Sequence, residues 1–345
     1  MPSDLSVRGL FTGLMILRRP VTLDATPPDR NHGRMTAGKT YIDSPTIHKL
    51  AARSDVMGLW LIVHCWGVIF GAVTLFAIWP NPITFVLAVV LIGSRQLGLA
   101  ILMHEAAHNA LFKSRPVNEI VGEWLCGRPI LAELRSYRHY HLTHHKHTQT
   151  EKDPDLALSA KFPTSHASLR RKFIRDLTGQ TGARQLVAQI VMSFRLAGDA
   201  DAVNAATQDA AQAFKARDLW KSLPVFLGVA ILMSVLGDWW YGLAFWILPY
   251  LTWFQLVLRI RNIAEHGATE QSQNPLQNVR TTHAGIVARM LVAPYWVNYH
   301  LEHHMIMHVP CWRLPALHDA LCAAGLKNQM RVSPNYRHAL TQSGW

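Results

Sequence analysis

Residues Met57 to Trp79 run for 23 positions without a charged side chain, long enough to cross a hydrocarbon layer about 30 Å thick. Pro80, Asn81 and Pro82 then form a tight turn, and Ile83 to Met103 returns as a second span interrupted by Arg95 and Gln96. A second apolar pair surrounds Gly237 and Asp238. Its first run, Ser222 to Gly237, is short and takes in Leu219 and Trp220 at its interface; its second is Trp239 to Leu258. The expected spans are therefore about 57–79, 83–103, 219–237 and 239–258. Four spans in two hairpins leave residues 1–56, the middle segment and the C-terminal segment on one side. The fold class expected is all-α, with a helical cap on that side. The division expected is an N-terminal segment over 1–56 and one membrane-plus-cap domain over 57–345.

Basic residues test this topology. Of the 34 Lys and Arg, 8 lie in residues 1–56, 17 in 104–221 and 8 in 259–345, and neither turn between paired spans holds any. The positive-inside rule makes the three large segments cytoplasmic, and so predicts an inner-membrane protein with both termini in the cytoplasm. The net charge of +12 is then mainly a topology signal, with anionic lipid or an acidic partner second. No basic-aromatic pattern points to nucleic acid. Only 16% of residues are charged, against roughly 25% in soluble domains, so much of the surface faces something other than water. Disorder is excluded by 12 Trp, 12 Phe and 8 Tyr. Cys65, Cys126, Cys311 and Cys322 form no disulfide framework and no CxxC pair, which fits a reducing compartment. Gly9–Leu17 is apolar but short and lacks a small-residue cleavage site, so no cleavable signal peptide is expected. The stretch from about Ser168 to Leu219 reads as amphipathic helix, with Arg170, Arg171, Lys172 and Arg175 at its start, suited to headgroups or to docking an acidic electron carrier.

The 19 histidines are far from randomly spaced. The second span runs into His104 and His108, which share a helix face at i, i+4. His141, His144 and His145 form HxxHH, and so do His300, His303 and His304. Asn262 and His266 share a face just beyond the fourth span. All fall on the side assigned to the cytoplasm. Neutral imidazole suits Zn, Cu, Fe and Ni, and eight or nine rings exceed what one ion can hold. Two metal ions are the economical reading.

In these motifs the chain resembles the membrane fatty-acid desaturase superfamily. The resemblance lies in HEAAHNALF, RHYHLTHHKHTQTEKDPD, RNIAEHG and NYHLEHHMIMHVPCWRLPALH, and covers roughly residues 55–325. It implies a di-iron site ligated by His104, His108, His141, His144, His145, His300, His303 and His304. It adds His266 as a further ligand and Asn262 as holder of a metal-bound water. It implies O2 as co-substrate, an acyl lipid as substrate, and a separate ferredoxin-like or cytochrome b5-like electron donor, since no His-Pro-Gly-Gly motif occurs. Desaturation is the expected reaction, with hydroxylation or ketolation of a lipid, carotenoid or small amphipathic molecule as the alternative.

Metal-bound imidazoles usually donate their free N–H to a carboxylate or carbonyl. Asp153 and Asp155, just after the second box, are candidates for that role, as are Glu105, Glu265 and Glu302 beside the ligands. His139 and His147 fall outside the register and read as surface residues. Arg95 precedes His104 by nine residues, about 13.5 Å along a helix; an ionisable group there is a functional candidate, with a structural pairing to backbone carbonyls or a lipid headgroup as the alternative. Two rival classes remain. His104-Glu105-x-x-His108 also reads as the HExxH motif of a zinc metalloprotease, which would leave six box histidines without a purpose. A metal transporter or sensor would not need helix-register boxes.

Overall fold

The structure, a computed structural model, describes residues 41–198, 216 and 219–344. The apolar stretch 9–17, most of the 1–56 segment and the part of the amphipathic stretch beyond residue 198 lie outside the described residues. Helix α1 (Asp55–Ile78) begins where the Ser54 hydroxyl accepts the Met57 N–H at 3.3 Å. Helix α2 (Pro82–Ala107) begins on a capping box. The Asn81 side chain accepts from Ile83 and Thr84 N–H, while the Thr84 hydroxyl accepts from Asn81 N–H. Pro82 sits in the first turn, where its missing N–H costs nothing.

Helix α6 (Leu219–Leu236) and helix α7 (Leu243–His266) follow later in the chain. Among the described residues, these four helices are long and apolar enough to cross a membrane. Their outward side chains include Val56, Leu59, Trp60, Val63, Ile231, Val235 and Leu243, all more than half exposed. Such a surface is stable against lipid and unfavourable in water. Helix α2 is the innermost span, buried almost continuously from Ile92 onward and packed against α1 and α7. Phe76 of α1 and Phe85 of α2 join Trp240, Tyr241 and Phe245 in an aromatic cluster, with Phe76 and Phe245 centroids 5.0 Å apart.

Two span boundaries differ from expectation. Helix α2 does not stop at Met103 but continues to Ala107, so it delivers His104 in its last turn. Helix α7 starts at Leu243 rather than Trp239, because Trp239 and Trp240 form the turn after Gly237. It also continues past Leu258 to His266, since its charges are matched: Asp176 takes Arg259, and Glu265 takes Arg261 one turn along. The helix is not uniform. It opens with a π-turn (Leu243–Ile247) and breaks at Thr252 (φ −116°, ψ −88°). The polar interruption in α2 faces protein. Gln96 donates to the Trp246 carbonyl at 2.9 Å, Arg95 donates to the Met290 carbonyl, and Ser94 accepts from the Trp253 indole at 2.9 Å.

The remaining elements that matter for the site are α3 (Leu134–His147), α4 (His166–Leu177), α5 (Gln180–Gly198), α8 (Ile286–Leu291), α9 (His300–Met305) and α10 (Leu314–Leu321). On α4, Arg170, Arg171 and Arg175 are exposed alongside Ile174 and Leu177, the mixture that suits a headgroup boundary. The all-α expectation needs one small amendment. Strands β1 (Thr281–Thr282) and β2 (Val332–Ser333) pair in parallel, Thr281 opposite Val332.

Candidate metal centre

The last turns of two spans point at two short helices. Helix α2 presents His104, and His108 caps its end; helix α7 ends on His266. Helix α3 carries His141, His144 and His145, and helix α9 carries His300, His303 and His304. The structure gathers all nine rings into two groups. His104, His108, His141, His145 and His303 form one, and His144, His266, His300 and His304 the other. Within each group the candidate donor atoms lie within 4.8 Å of one another.

The contacts are between ring nitrogens. His145 Nε2 lies 2.9 Å from His141 Nε2 and 3.0 Å from His303 Nε2. His300 Nε2 lies 2.8 Å from His266 Nε2 and 3.1 Å from His304 Nε2. A neutral imidazole has one N–H, so such crowding cannot satisfy every nitrogen. His104 Nε2 and His108 Nε2 are buried with no hydrogen-bond partner. Burial pushes His108 down to about 3, and burial together with the crowding of other basic groups, the rings themselves above all, holds His141, His145, His300, His303 and His304 well below the usual range. These rings are therefore neutral near pH 7, with lone pairs available. Convergent, neutral nitrogens that cannot all be hydrogen-bonded are the donor set a divalent transition metal needs.

Carboxylates surround the rings unequally. Asp153 accepts from His144 Nδ1 at 2.8 Å, and also from the N–H groups of Gln149 and Asp155. That bond assigns the proton to Nδ1 and leaves His144 Nε2 for its group. Burial opposes the charged form of His144, yet Asp153, Asp155 and Glu265 together raise its pKa above the ordinary value. Asp155 lies 3.7 Å from His144 Nδ1 and accepts the Tyr140 hydroxyl proton. Glu105 Oε1 stands 3.3 Å from His104 Nδ1, while its other oxygen accepts the Cys311 N–H at 2.8 Å. Glu265 Oε2 lies 3.5 Å from His300 Nε2, and Oε1 accepts from Arg261 at 2.7 Å.

Glu302 departs from expectation. Its carboxylate accepts from Thr281 and from His318 Nδ1 (2.5 Å) rather than from a clustered ring, because its position on α9 faces β1 and α10. Asn262 is half-buried one turn before His266 on α7. His139 is exposed, His147 half-buried, and neither joins a group.

Three contributors were not singled out from the sequence. Tyr137 stacks on His141 with centroids 5.2 Å apart and planes at 10°. Thr148 Oγ1 lies 3.3 Å from His304 Nδ1 and donates to the His144 carbonyl. His318 holds Glu302. The first two stand four residues from a box histidine, a readable signal; His318 is 16 residues from Glu302 and gives none.

The comparisons with known proteins agree with this geometry. The family model for fatty acid desaturase matches residues 80–334, most of the chain. The dihydrorhizobitoxine desaturase of Bradyrhizobium elkanii is 27% identical over 268 residues, covering 75% of this chain and 74% of that protein. A beta-carotene ketolase of Paracoccus sp. is 23% identical over 292 residues, covering 81% of this chain and 96% of the relative. The sn-1 oleoyl-lipid 12-desaturase of Synechocystis sp. is 26% identical over 262 residues, covering 70% and 68%. Two histidine groups at the ends of membrane-length helices, together with a family match over most of the chain, establish that it belongs to the fatty acid desaturase family.

Proposed function

We propose that this chain is an integral inner-membrane oxidoreductase that uses O2 to desaturate an acyl chain, with a membrane lipid as substrate. The observation that carries this reading is the gathering of nine imidazoles into two adjacent groups where two membrane-length helices end. His104, His108, His141, His145 and His303 would hold one iron, and His144, His266, His300 and His304 the other, with Asn262 holding a metal-bound water. Iron with O2 and electrons supplies the oxidising power to break an unactivated C–H bond, which no side-chain acid or base can do. The chain's own residues fix the site. Asp153 sets the His144 tautomer, Glu105 stands against His104, and Tyr137 braces His141. Six of the nine rings, His104, His108, His141, His144, His300 and His303, are buried, which limits the access of water.

In this reading the spans form two hairpins whose turns face away from the cytoplasm, and the site belongs to a cytoplasmic cap within a unit over residues 57–345. Residues 1–56 and the C-terminus lie on the same side, in keeping with the distribution of Lys and Arg. Two electrons per turnover come from a separate ferredoxin-like or cytochrome b5-like protein. Similarity to beta-carotene ketolases keeps oxygen insertion as a second reading of the same site.

The test compares lipids, by mass spectrometry, from cells making the wild type and His304→Ala, with iron and zinc counted in both purified proteins. A wild-type product lighter by two hydrogens, lost with iron in the variant, supports desaturation. A product heavier by one oxygen supports the second reading. Full activity in His304→Ala, or one zinc in place of iron, overturns the di-iron assignment.

A further inference from the structure

Arg95 sits in the middle of the innermost span and is only 4% exposed. Its side chain donates to the Met290 carbonyl, and its guanidinium carbon stands 5.6 Å from the centre of the Tyr295 ring. Its Nε is buried and has no hydrogen-bond partner. Among the described residues, the ion pairs of other arginines engage Glu119, Glu123, Asp176 and Glu265, and none engages Arg95. A buried cation without a counter-charge is costly, and one carbonyl together with the ring and hydroxyl of Tyr295 offset that cost only in part.

Arg95 lines a cavity of about 240 Å³, whose walls also include Arg289, His64, Tyr295, Trp60 and Met290. Trp60 and Met290 are about half exposed among the lipid-suited side chains of α1 and α8, so the cavity lies beside the apolar surface. Tyr295 also borders a second, much smaller void next to His104, His300 and His303. The ring thus stands between Arg95 and the metal centre. Its backbone is left-handed (φ 54°), a conformation that costs a residue with a β-carbon and concentrates at ligand sites. Gly98 leaves it room, since a β-carbon there would come within 2.9 Å of the ring.

An apolar cavity with two arginines, Arg95 and Arg289, in its wall fits an amphipathic anion. The guanidinium fork of Arg95 matches a carboxylate, and a second cation in the same wall favours an anion further. We propose that Arg95 binds a carboxylate at one end of an amphipathic molecule whose chain runs past Tyr295 toward His104, His300 and His303; in the oxidoreductase reading this makes the substrate a free acid in place of an esterified membrane lipid. This rests on the oxidoreductase reading only in calling the ligand a substrate. Arg95 and His104 are about 13.5 Å apart along α2, which an extended chain of roughly a dozen bonds spans. The anchor would therefore select the carbon presented to the metals by counting from a carboxylate end.

The experiment measures equilibrium binding of radiolabelled dodecanoate to the full chain in lipid nanodiscs, with methyl dodecanoate and dodecyl phosphate as competitors. The wild type should prefer the acid to the methyl ester by about ten- to a hundredfold, as for a hydrogen-bonded charge pair. Arg95→Gln should lose that preference, and Arg95→Lys should keep part of it. A purely structural Arg95 would alter thermal stability and leave the acid-to-ester ratio untouched, which overturns the proposal. Equal binding of acid and ester by the wild type also overturns it. Tighter binding of dodecyl phosphate assigns the cavity to a lipid headgroup instead. Should Arg95→Gln fail to fold, the wild-type ratio and Arg95→Lys still decide. Iron content and product formation on the same samples test the oxidoreductase reading separately, because the binding preference requires neither.

Discussion

Replacing Asp153 with Asn keeps the side-chain volume and removes the charge facing His144. Asp153 is buried and accepts three bonds at 2.8 Å, two on Oδ1 from His144 Nδ1 and Asp155 N–H and one on Oδ2 from Gln149 N–H. An amide offers one acceptor oxygen. The variant loses least by keeping that oxygen toward His144 and Asp155 and turning its NH2 toward Gln149 N–H. One buried donor is then unpaired, at a cost of about 1–3 kcal/mol in stability. His144 keeps an acceptor but loses the carboxylate that makes its ring a stronger donor. Loss of such a partner lowers metal affinity about ten- to a hundredfold, or about 1.4–2.8 kcal/mol. The effect should be larger for the four-histidine group, to which His144 belongs. Titration of the metal-free protein with iron(II) against a competing chelator should resolve one weakened site and one near wild type. Wild-type affinity at both sites, or equal loss from both, would refute the reasoning.

Asp176 is fully buried, and Arg259 supplies its cation through two hydrogen bonds. Arg259→Leu should destabilise the protein by about 3–5 kcal/mol, and adding Asp176→Asn should recover much of that loss. Unfolding in detergent measures both, and a single-variant cost below about 1 kcal/mol would place the pair among weak surface bridges. His318 gives a pH dependence. Its hydrogen bond to Glu302 raises its pKa above 6.5 despite partial burial. The stabilisation is thus complete below 6.5 and is lost as pH rises through the raised folded value. The melting-temperature gap between wild type and His318→Gln should narrow as pH rises, and a gap that widens would contradict the assignment.

Much of this site was readable because helical spacing is local. His104 and His108, and the two HxxHH runs, announce their shared faces from i, i+3 and i+4 alone. The four spans were legible too, the first and last expected ones from charge-free length and the other two from long apolar runs that each hold one basic residue, Arg95 or Lys221. What was hidden depends on distance in the chain. The end of α7 continued through Arg259 and Arg261 because Asp176, 83 residues away, neutralises the first of them. Glu302 looked like a partner for a neighbouring ring, yet Thr281 and His318 claim it from elements that only the fold brings near. Arg95 was conspicuous in sequence, but its carbonyl partner at Met290 and its ring partner at Tyr295 lie about 200 residues further on.

The division of the nine histidines between two groups was also out of reach, and it follows from how α3 and α9 meet. On α3, His141 and His145 face the five-histidine group while His144 turns to the other. On α9 the split is reversed: His300 and His304 serve the four-histidine group and His303 the five. Consecutive histidines differ by about 100° around a helix axis, so the two rings of an HH pair diverge and can both join a group only where two groups flank the helix. The xHH ending of each box is what a helix lying between two adjacent centres requires. One helix bearing only HxxxH, like the end of α2, can serve a single centre, and His104 and His108 do fall in the same group.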